Sequence, residues 1–375
     1  MFAGNRVSRA WLLNGASLEG SDASGFPRRV TGHSGVLAWR EGVWNVQGRM
    51  VRYIRGQKGW QRHDGAGHRQ LRRAPETWFS RTLTRTRWKD IPLRGRVQSI
   101  FNMDARGVVN SLFGVPRALI GVIHVGALPG TPSNRKTVAV IADEAVREAR
   151  VYEAAGFHSL AIENTHDRPY LKSSVGPEIG AAMAVVGSEI RRSVSLPLGI
   201  QVLAGANLWA VAIAHACSAS FVRVEGFVFA HVADEGLIES TAGSLLRYRR
   251  TIGAESVRIF ADIKKKHSAH AITADVDIVE TAKAAEFFHA DGVIVSGVAT
   301  GQPADVGEVE AVSRAVSIPT LIGSGVTPEN MGSYPSAAAF IVGSSVKQDG
   351  LWENALDERR VLEAARAFQR LPVPR

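Results

Sequence analysis

From residue 118 onward, short apolar runs alternate with longer stretches in which Ala, Val and Ile recur at helical spacing against Glu and Arg. The runs are apolar throughout rather than alternately polar, which is typical of parallel strands covered on both faces. The pattern predicts eight strands, at 118–125, 159–165, 197–204, 221–228, 257–264, 292–298, 318–325 and 338–345.

A helical segment follows each predicted strand. The helices are predicted at 138–155, 176–193, 207–218, 240–252, 277–289, 305–316, 327–334 and 357–369. Eight β/α units in about 250 residues match the size of a (β/α)8 TIM barrel, and strict alternation favours it over an open doubly wound sheet. We therefore predict an α/β protein with a TIM barrel over 115–370.

Residues 1–114 show no sustained period of 2 or 3.6, and their Arg, Gly and Trp are mixed without an apolar face. They contain 18 Arg and 2 Lys against 7 acidic residues, a net charge of +13, whereas the remainder has 25 basic and 28 acidic residues. The +10 net charge of the chain therefore belongs to this segment, which we expect to be a disordered basic N-terminal extension.

Three interpretations of the extension stay open. The first 18 residues have two Arg and no acid, as in a transit peptide. Met103 is an alternative native start, which would make residues 1–102 a gene-model artefact. Binding of RNA by the Arg and Trp residues is the third, but we do not expect a nucleic-acid partner because no stacking platform or module signature is visible.

Compartment and membrane topology follow from composition. The one cysteine, Cys217, excludes an intrachain disulfide and favours a reducing compartment. No run approaches the roughly 20 apolar residues that span a bilayer. We expect a cytoplasmic or mitochondrial protein that is not secreted, has no membrane span and forms a homo-oligomer.

Two Gly-Ser corners follow the last two predicted strands. In a TIM barrel the active site lies at the carboxyl ends of the strands, and phosphate often binds after strands 7 and 8. Glycine allows backbone N–H groups to approach an anion closely. The alternative is a pair of tight glycine turns. We predict a phosphate site formed by Gly323, Ser324, Gly325, Gly343, Ser344 and Ser345.

Polar residues at the other strand ends would converge on the same mouth. Asp262 and Lys264 are two apart and would share a face of strand 5, where a carboxylate and an amine could divide acid–base and electrostatic roles. Lys264 could also form a Schiff base, with Lys265 and Lys266 as rivals. The candidate catalytic residues are Asp262, Lys264, Glu163 and Glu225; the other expected mouth residues are His124, Asn164, Gln201 and Ser296. A structural Arg223–Glu225 ion pair is the alternative for strand 4.

The sequence assigns no cofactor. His267 and His270, with Glu163 and Asp262, could form a mixed site for a divalent metal, but no metal-binding spacing supports it, so no metal ligands are assigned. We do not expect flavin mononucleotide.

Ten ordered motifs resemble the BtpA/SgcQ family of photosystem I biogenesis protein BtpA-like proteins. They are GVIHVGALPGTP, GFHSLAIENTHDRPY, PLGIQVLAGAN, FVRVEG, DEGLIES, LLRYRR, ADIKKKH, SGVATG, GSGVTPEN and VGSSVKQDG, and together they cover about 115–370. The resemblance implies a barrel of the ribulose-phosphate-binding type. It also implies a phosphate ligand but no particular reaction.

The sequence thus predicts an enzyme, an isomerase, lyase or hydrolase, acting on a small phosphorylated metabolite such as a sugar or nucleoside phosphate. The alternative, which the family name suggests, is a non-catalytic assembly or stability factor for another protein complex.

Overall fold

The computed structural model describes residues 105–297, 299 and 301–373, and the backbone of six short strands between residues 17 and 63. The chain forms two units, Met1–Pro92 and Leu93–Arg375. In the first unit the strands form two three-stranded antiparallel sheets. These strands are Ser17–Leu18, Val30–Gly32, Gly35–Val36, Arg40–Val46, Arg49–Gly56 and Gly59–His63. The sequence did not predict them, and the disorder expected for the rest of residues 1–104 lies outside the described residues.

Eight parallel strands close into a barrel in which each strand pairs with its neighbours in the chain and the eighth strand pairs with the first. They are β1 (Ala118–His124), β2 (Ser159–Glu163), β3 (Leu198–Gln201), β4 (Phe221–Val224), β5 (Arg258–Ile263), β6 (Gly292–Val295), β7 (Thr320–Ile322) and β8 (Ala339–Val342). The predicted TIM barrel is confirmed.

The helices of the second unit are α1 (Ala105–Phe113), α2 (Val138–Ala154), α3 (Pro177–Ser193), α4 (Asn207–Ala216), α5 (Ala242–Thr251), α6 (Ile278–Phe287), α7 (Val306–Ala315) and α8 (Glu358–Gln369). Asp305 is the N-cap of α7, since its carboxylate accepts from the N–H of Glu308. The helix predicted at 327–334 is only a 3-10 turn, Met331–Ser333. Among the described residues, no helix is long and apolar enough to cross a membrane.

Helix α1 closes the amino-terminal end of the barrel. Its buried Val108, Val109 and Phe113 pack against lumen residues of the strands, and the Phe113 ring lies edge-on to Phe221 at 5.9 Å. The structure therefore differs from the predicted extension at residues 105–113, which are helical and belong to the barrel core.

Glycine makes room for two large rings in the lower lumen. A Cβ on Gly199 would lie 2.2 Å from the ring of Phe221, and one on Gly292 would lie 2.7 Å from the ring of Phe260. Lumen-facing positions repeat every second residue along a strand. The lumen position after Phe221 on β4 is therefore Arg223, and the one after Phe260 on β5 is Asp262. The lumen is thus apolar near α1 and charged at the opposite end, which we call the mouth.

Candidate functional site

A buried ion-pair cluster fills the centre of the mouth. Arg223 Nε and Nη2 donate to the two carboxylate oxygens of Asp262 at 2.7 and 2.9 Å, and Nη1 donates to Glu163 Oε1 at 3.0 Å. Ser296 Oγ donates to Asp262 Oδ1 at 3.2 Å. Burial lowers the pKa of Arg223, but the carboxylates of Asp262 and Glu163 outweigh it and raise the pKa above its ordinary value. The guanidinium is therefore a fixed positive charge held by two strands.

A second pair lies beside it. Lys265 Nζ donates to Glu225 Oε2 at 3.1 Å, and Gln201 Nε2 donates to Glu225 Oε1 at 3.3 Å. Burial raises the pKa of Glu225, and Lys265 opposes the change. The structural pair considered for strand 4, Arg223 with Glu225, is not the one formed, because each residue hydrogen-bonds to other partners.

The two Gly-Ser corners lie next to this cluster and line a cavity of about 230 Å³, which we call the mouth cavity. We call Gly323–Gly325 the β7 corner and Gly343–Ser345 the β8 corner. Both corners line the mouth cavity together with His124, Glu163, Arg223, Lys266, Thr327 and Arg360. Two neighbouring turns and three cationic side chains thus face one small space.

Backbone N–H groups in both corners are free to bind a ligand. Those of Ser324, Gly325, Ser344 and Ser345 donate to no acceptor within the described residues. Successive free N–H groups of this kind form concave sites for anions. The first turn of α8 is not available, since Asp357 accepts from the N–H groups at its start.

Two of the three serine hydroxyls in the corners bind backbone carbonyl groups of the protein. Ser324 Oγ donates to the carbonyl oxygens of Ala299 and Gln302, and Ser345 Oγ donates to that of Val326 at 2.7 Å. These two hydroxyls hold the corners in place. Of the three corner hydroxyls, only that of Ser344 makes no hydrogen bond in the part of the chain that the structure describes.

The three consecutive lysines have different roles. Strand β5 ends at Ile263, and Lys264 adopts a left-handed conformation with φ of 48°. Its Nζ donates to the carbonyl oxygen of Thr273 at 3.0 Å, so Lys264 does not share the mouth cavity as predicted. Lys266 lines that cavity instead. Burial, and then the charge of Arg223, lower the pKa of Lys266.

His124 is a neutral histidine at the end of β1. Its Nδ1 lies 2.9 Å from the carbonyl oxygen of Trp352, which can only accept, so Nδ1 carries the proton. Burial, and then the charge of Lys347, lower the pKa of His124 to about 3. The ring of Trp352 lies edge-on to His124 with 6.1 Å between the ring centroids, and the guanidinium of Arg168 lies 4.7 Å from the centre of the indole ring.

Comparison with known proteins identifies the family. A profile of the BtpA family matches residues 115–370. The chain belongs to the BtpA family. An uncharacterised mitochondrial protein of Caenorhabditis elegans is 46% identical over 265 residues, covering 69% of this chain and 96% of that protein. An uncharacterised Archaeoglobus fulgidus protein is 39% identical over 251 residues, covering 67% of this chain and 99% of that protein.

The photosystem I biogenesis protein BtpA of Synechocystis is 35% identical over 256 residues, covering 66% of this chain and 87% of that protein. The predicted family is therefore confirmed, and its barrel carries both Gly-Ser corners, Glu163 and Arg223 within the matched residues. The basic extension, residues 1–114, lies outside the match.

Not every predicted residue of this BtpA-family barrel faces the mouth cavity. Glu163, His124 and both corners line it, whereas Asp262 and Glu225 are buried in ion pairs beside it. Asn164 is a loop anchor: Oδ1 accepts from the N–H of Leu203, and Nδ2 donates to Asp167.

Several lining residues were not assigned to the site from the sequence. Thr327 and Arg360 were not considered, and Lys266 was only a rival of Lys264 for a Schiff base. Arg360 lies in the first turn of α8, and its Nη1 donates to the carbonyl oxygen of Ser345 at 3.4 Å. The signal that could have found it is a cation in the helix directly after a Gly-Ser corner, where a bound anion would lie within reach.

The metal hypothesis gains no geometric support. Asp262 and Glu163 bind Arg223, and His270 Nε2 lies 3.0 Å from the carbonyl oxygen of Lys265. Within residues 105–297, 299 and 301–373, no group of three or more His, Cys, Asp or Glu could hold a metal ion.

Proposed function

We propose that this BtpA-family protein is an enzyme acting on a small phosphorylated metabolite whose phosphate binds between the β7 and β8 corners. The observation that carries the proposal is the set of free N–H groups of Ser324, Gly325, Ser344 and Ser345 around one cavity. Backbone donors of this kind bind phosphate without a charged side chain in direct contact.

The charge of the cavity supports an anionic ligand. Arg223, Lys266 and Arg360 line it against a single carboxylate, Glu163. His124 is neutral at physiological pH and its unprotonated Nε2 faces Gly343, so it can accept a hydrogen bond from a ligand hydroxyl group. A cavity of about 230 Å³ fits a phosphate together with a few carbon atoms.

Glu163 is the acid–base residue in this proposal. Arg223 holds its Oε1, while Oε2 makes no hydrogen bond among the described residues and is the atom available to a substrate proton. Asp262 acts through Arg223 as a positioning residue. The fixed guanidinium and Lys266 stabilise negative charge that develops on the substrate, a contribution of several kcal/mol in water-excluded sites.

The test is native mass spectrometry of the purified protein, followed by thermal unfolding against a panel of phosphorylated and dephosphorylated metabolite pairs. The proposal predicts that phosphorylated members alone raise the Tm, and that a stabilising member is turned over by the wild type. Glu163→Gln should bind that member but lose turnover by about 100-fold or more. Equal Tm shifts from both members of each pair would contradict the proposal.

A second candidate is an assembly factor, as the name of the Synechocystis relative suggests for that protein. The observation that favours it is a patch of exposed apolar residues on the β4–β5 loops. Phe229, Val232, Leu237 and Ile272 are 40–56% exposed there. Affinity capture with the wild type and with the Val232→Ser, Leu237→Ser double variant separates the two candidates. A partner that is captured by the wild type but not by the double variant would favour the assembly role. The double variant should bind phosphate as the wild type does.

We also propose a mitochondrial or cytoplasmic location. The C. elegans relative that is 46% identical is described as mitochondrial. Fractionation of cells expressing the full chain tests the proposal.

A further inference from the structure

Three consecutive lysines follow strand β5, and the structure pairs two of their amines. Lys264 Nζ donates to the backbone carbonyl and hydroxyl oxygens of Thr273, and Lys265 Nζ forms an ion pair with Glu225. Lys266 Nζ makes no hydrogen bond or ion pair within the described residues, although its side chain is half-buried. It is the amine of the three that lines the mouth cavity.

The surroundings of Lys266 suit an amine that reacts rather than one that only pairs. Arg223 already occupies Glu163 Oε1 and both oxygens of Asp262, so the nearby carboxylates are committed to another cation. Burial and the neighbouring guanidinium favour the uncharged amine, which is the nucleophilic form. A lysine desolvated next to a second cation is a recognised arrangement for imine formation.

We propose that Lys266 forms a reversible Schiff base with the carbonyl group of a phosphorylated aldehyde or ketone. The inference rests on the proposed function, because Lys266 and the β7 and β8 corners line the same cavity, so a phosphate bound at the corners would hold the carbonyl group in the space that Lys266 lines. It narrows the substrate class to phosphorylated carbonyl compounds.

The chemistry balances with the groups present. The lone pair of neutral Nζ attacks the carbonyl carbon, and the proton that the nitrogen then loses moves to the carbonyl oxygen, which gives a neutral carbinolamine. A further proton, taken from solvent and delivered by Glu163, reaches the hydroxyl group, which leaves as water while the nitrogen lone pair forms the C=N bond of a protonated imine. The positive imine then acts as an electron sink for bond cleavage or proton removal at the adjacent carbon, and hydrolysis returns the amine.

The test uses pyridoxal 5′-phosphate as the probe, since it carries both an aldehyde and a phosphate. The full-length protein is incubated with the probe, reduced with borohydride and mapped by peptide mass spectrometry. The expected result is a phosphopyridoxyl group at Lys266, with labelling by pyridoxal, or in the presence of inorganic phosphate, at least about tenfold lower.

Variants separate covalent chemistry from charge. Lys266→Arg keeps the positive charge but cannot form an imine, so it should retain the Tm increase by inorganic phosphate and lose the label. Lys283→Met removes an exposed lysine on α6 and should keep both. Absence of label from Lys266 while inorganic phosphate still raises the Tm overturns the Schiff base and leaves the phosphate site standing. Absence of both overturns the proposed function as well.

Discussion

Gly343 faces the imidazole of His124 across the mouth cavity. A Cβ built at this position would lie 3.2 Å from His124 Nε2. A side chain at this position would therefore occupy the space that a ligand needs.

Replacing Gly343 with Val should weaken binding of inorganic phosphate by at least about tenfold, or about 1.4 kcal/mol, because the added methyl groups fill the cavity. Isothermal titration calorimetry measures the change. Gly332→Val is the matched control, since nothing lies within 4 Å of a Cβ in that exposed turn. Unchanged affinity in folded Gly343→Val would place the anion elsewhere.

His124 should make stability depend on pH. Its pKa is about 3 in the folded protein against 6.5 for an ordinary histidine, so between these pH values the unfolded chain binds more protons. The free energy of unfolding therefore falls as the pH decreases, by about 2 kcal/mol between pH 7 and pH 5 from this residue.

Denaturant titration of the wild type and His124→Gln at these two pH values isolates this contribution. The variant should lose about 2 kcal/mol less than the wild type on acidification. The same loss in both proteins would mean that His124 is not the buried neutral base described above.

Individual roles at the mouth could be predicted only where the backbone continues regularly. Glu163 and Arg223 lie inside or at the end of strands, where alternation fixes their direction. Lys264 was misplaced because the prediction extended β5 by one residue, and its left-handed backbone turns the side chain towards Thr273. Hydrogen bonds that decide which lysine stays free join residues distant in sequence, and a local pattern does not contain them.

At the scale of elements, α1 determines how the barrel ends. Phe113 packs on Phe221, and the ring centroids of Phe221 and Phe260 are 5.3 Å apart. One row of aromatic rings thus runs from the helix into the lumen. The helix covers this end of the lumen, which would otherwise be open to water.

Phe113→Ala should destabilise the protein by about 3–5 kcal/mol, the range for a buried phenylalanine. Phe287→Ala on α6 removes a ring that is 79% exposed and should change stability by less than about 0.5 kcal/mol. Chemical denaturation compares the two. Equal, small effects would show that α1 is not part of the barrel core.

The β/α elements were predictable because each parallel strand is buried on both faces and leaves an unbroken apolar run. Helix α1 was missed since it was grouped with the Arg-rich segment by composition. Val108, Val109, Leu112 and Phe113 nevertheless have the i, i+1, i+4, i+5 spacing of one helical face.

At the scale of the whole molecule, the two ends of the barrel lumen differ in character. The lumen is apolar where α1 closes it and charged at the mouth, with free N–H groups in two adjacent corners. The homo-oligomeric state stays a prediction.

The central claim is that the β7 and β8 corners bind one phosphate. A crystal structure of the full chain grown with inorganic phosphate tests it most directly. We expect a tetrahedral anion at about 2.7–3.2 Å from the backbone nitrogens of Ser324, Gly325, Ser344 and Ser345. Water alone in the mouth cavity at a phosphate concentration that saturates binding in solution, or an anion bound at another site, would contradict the account.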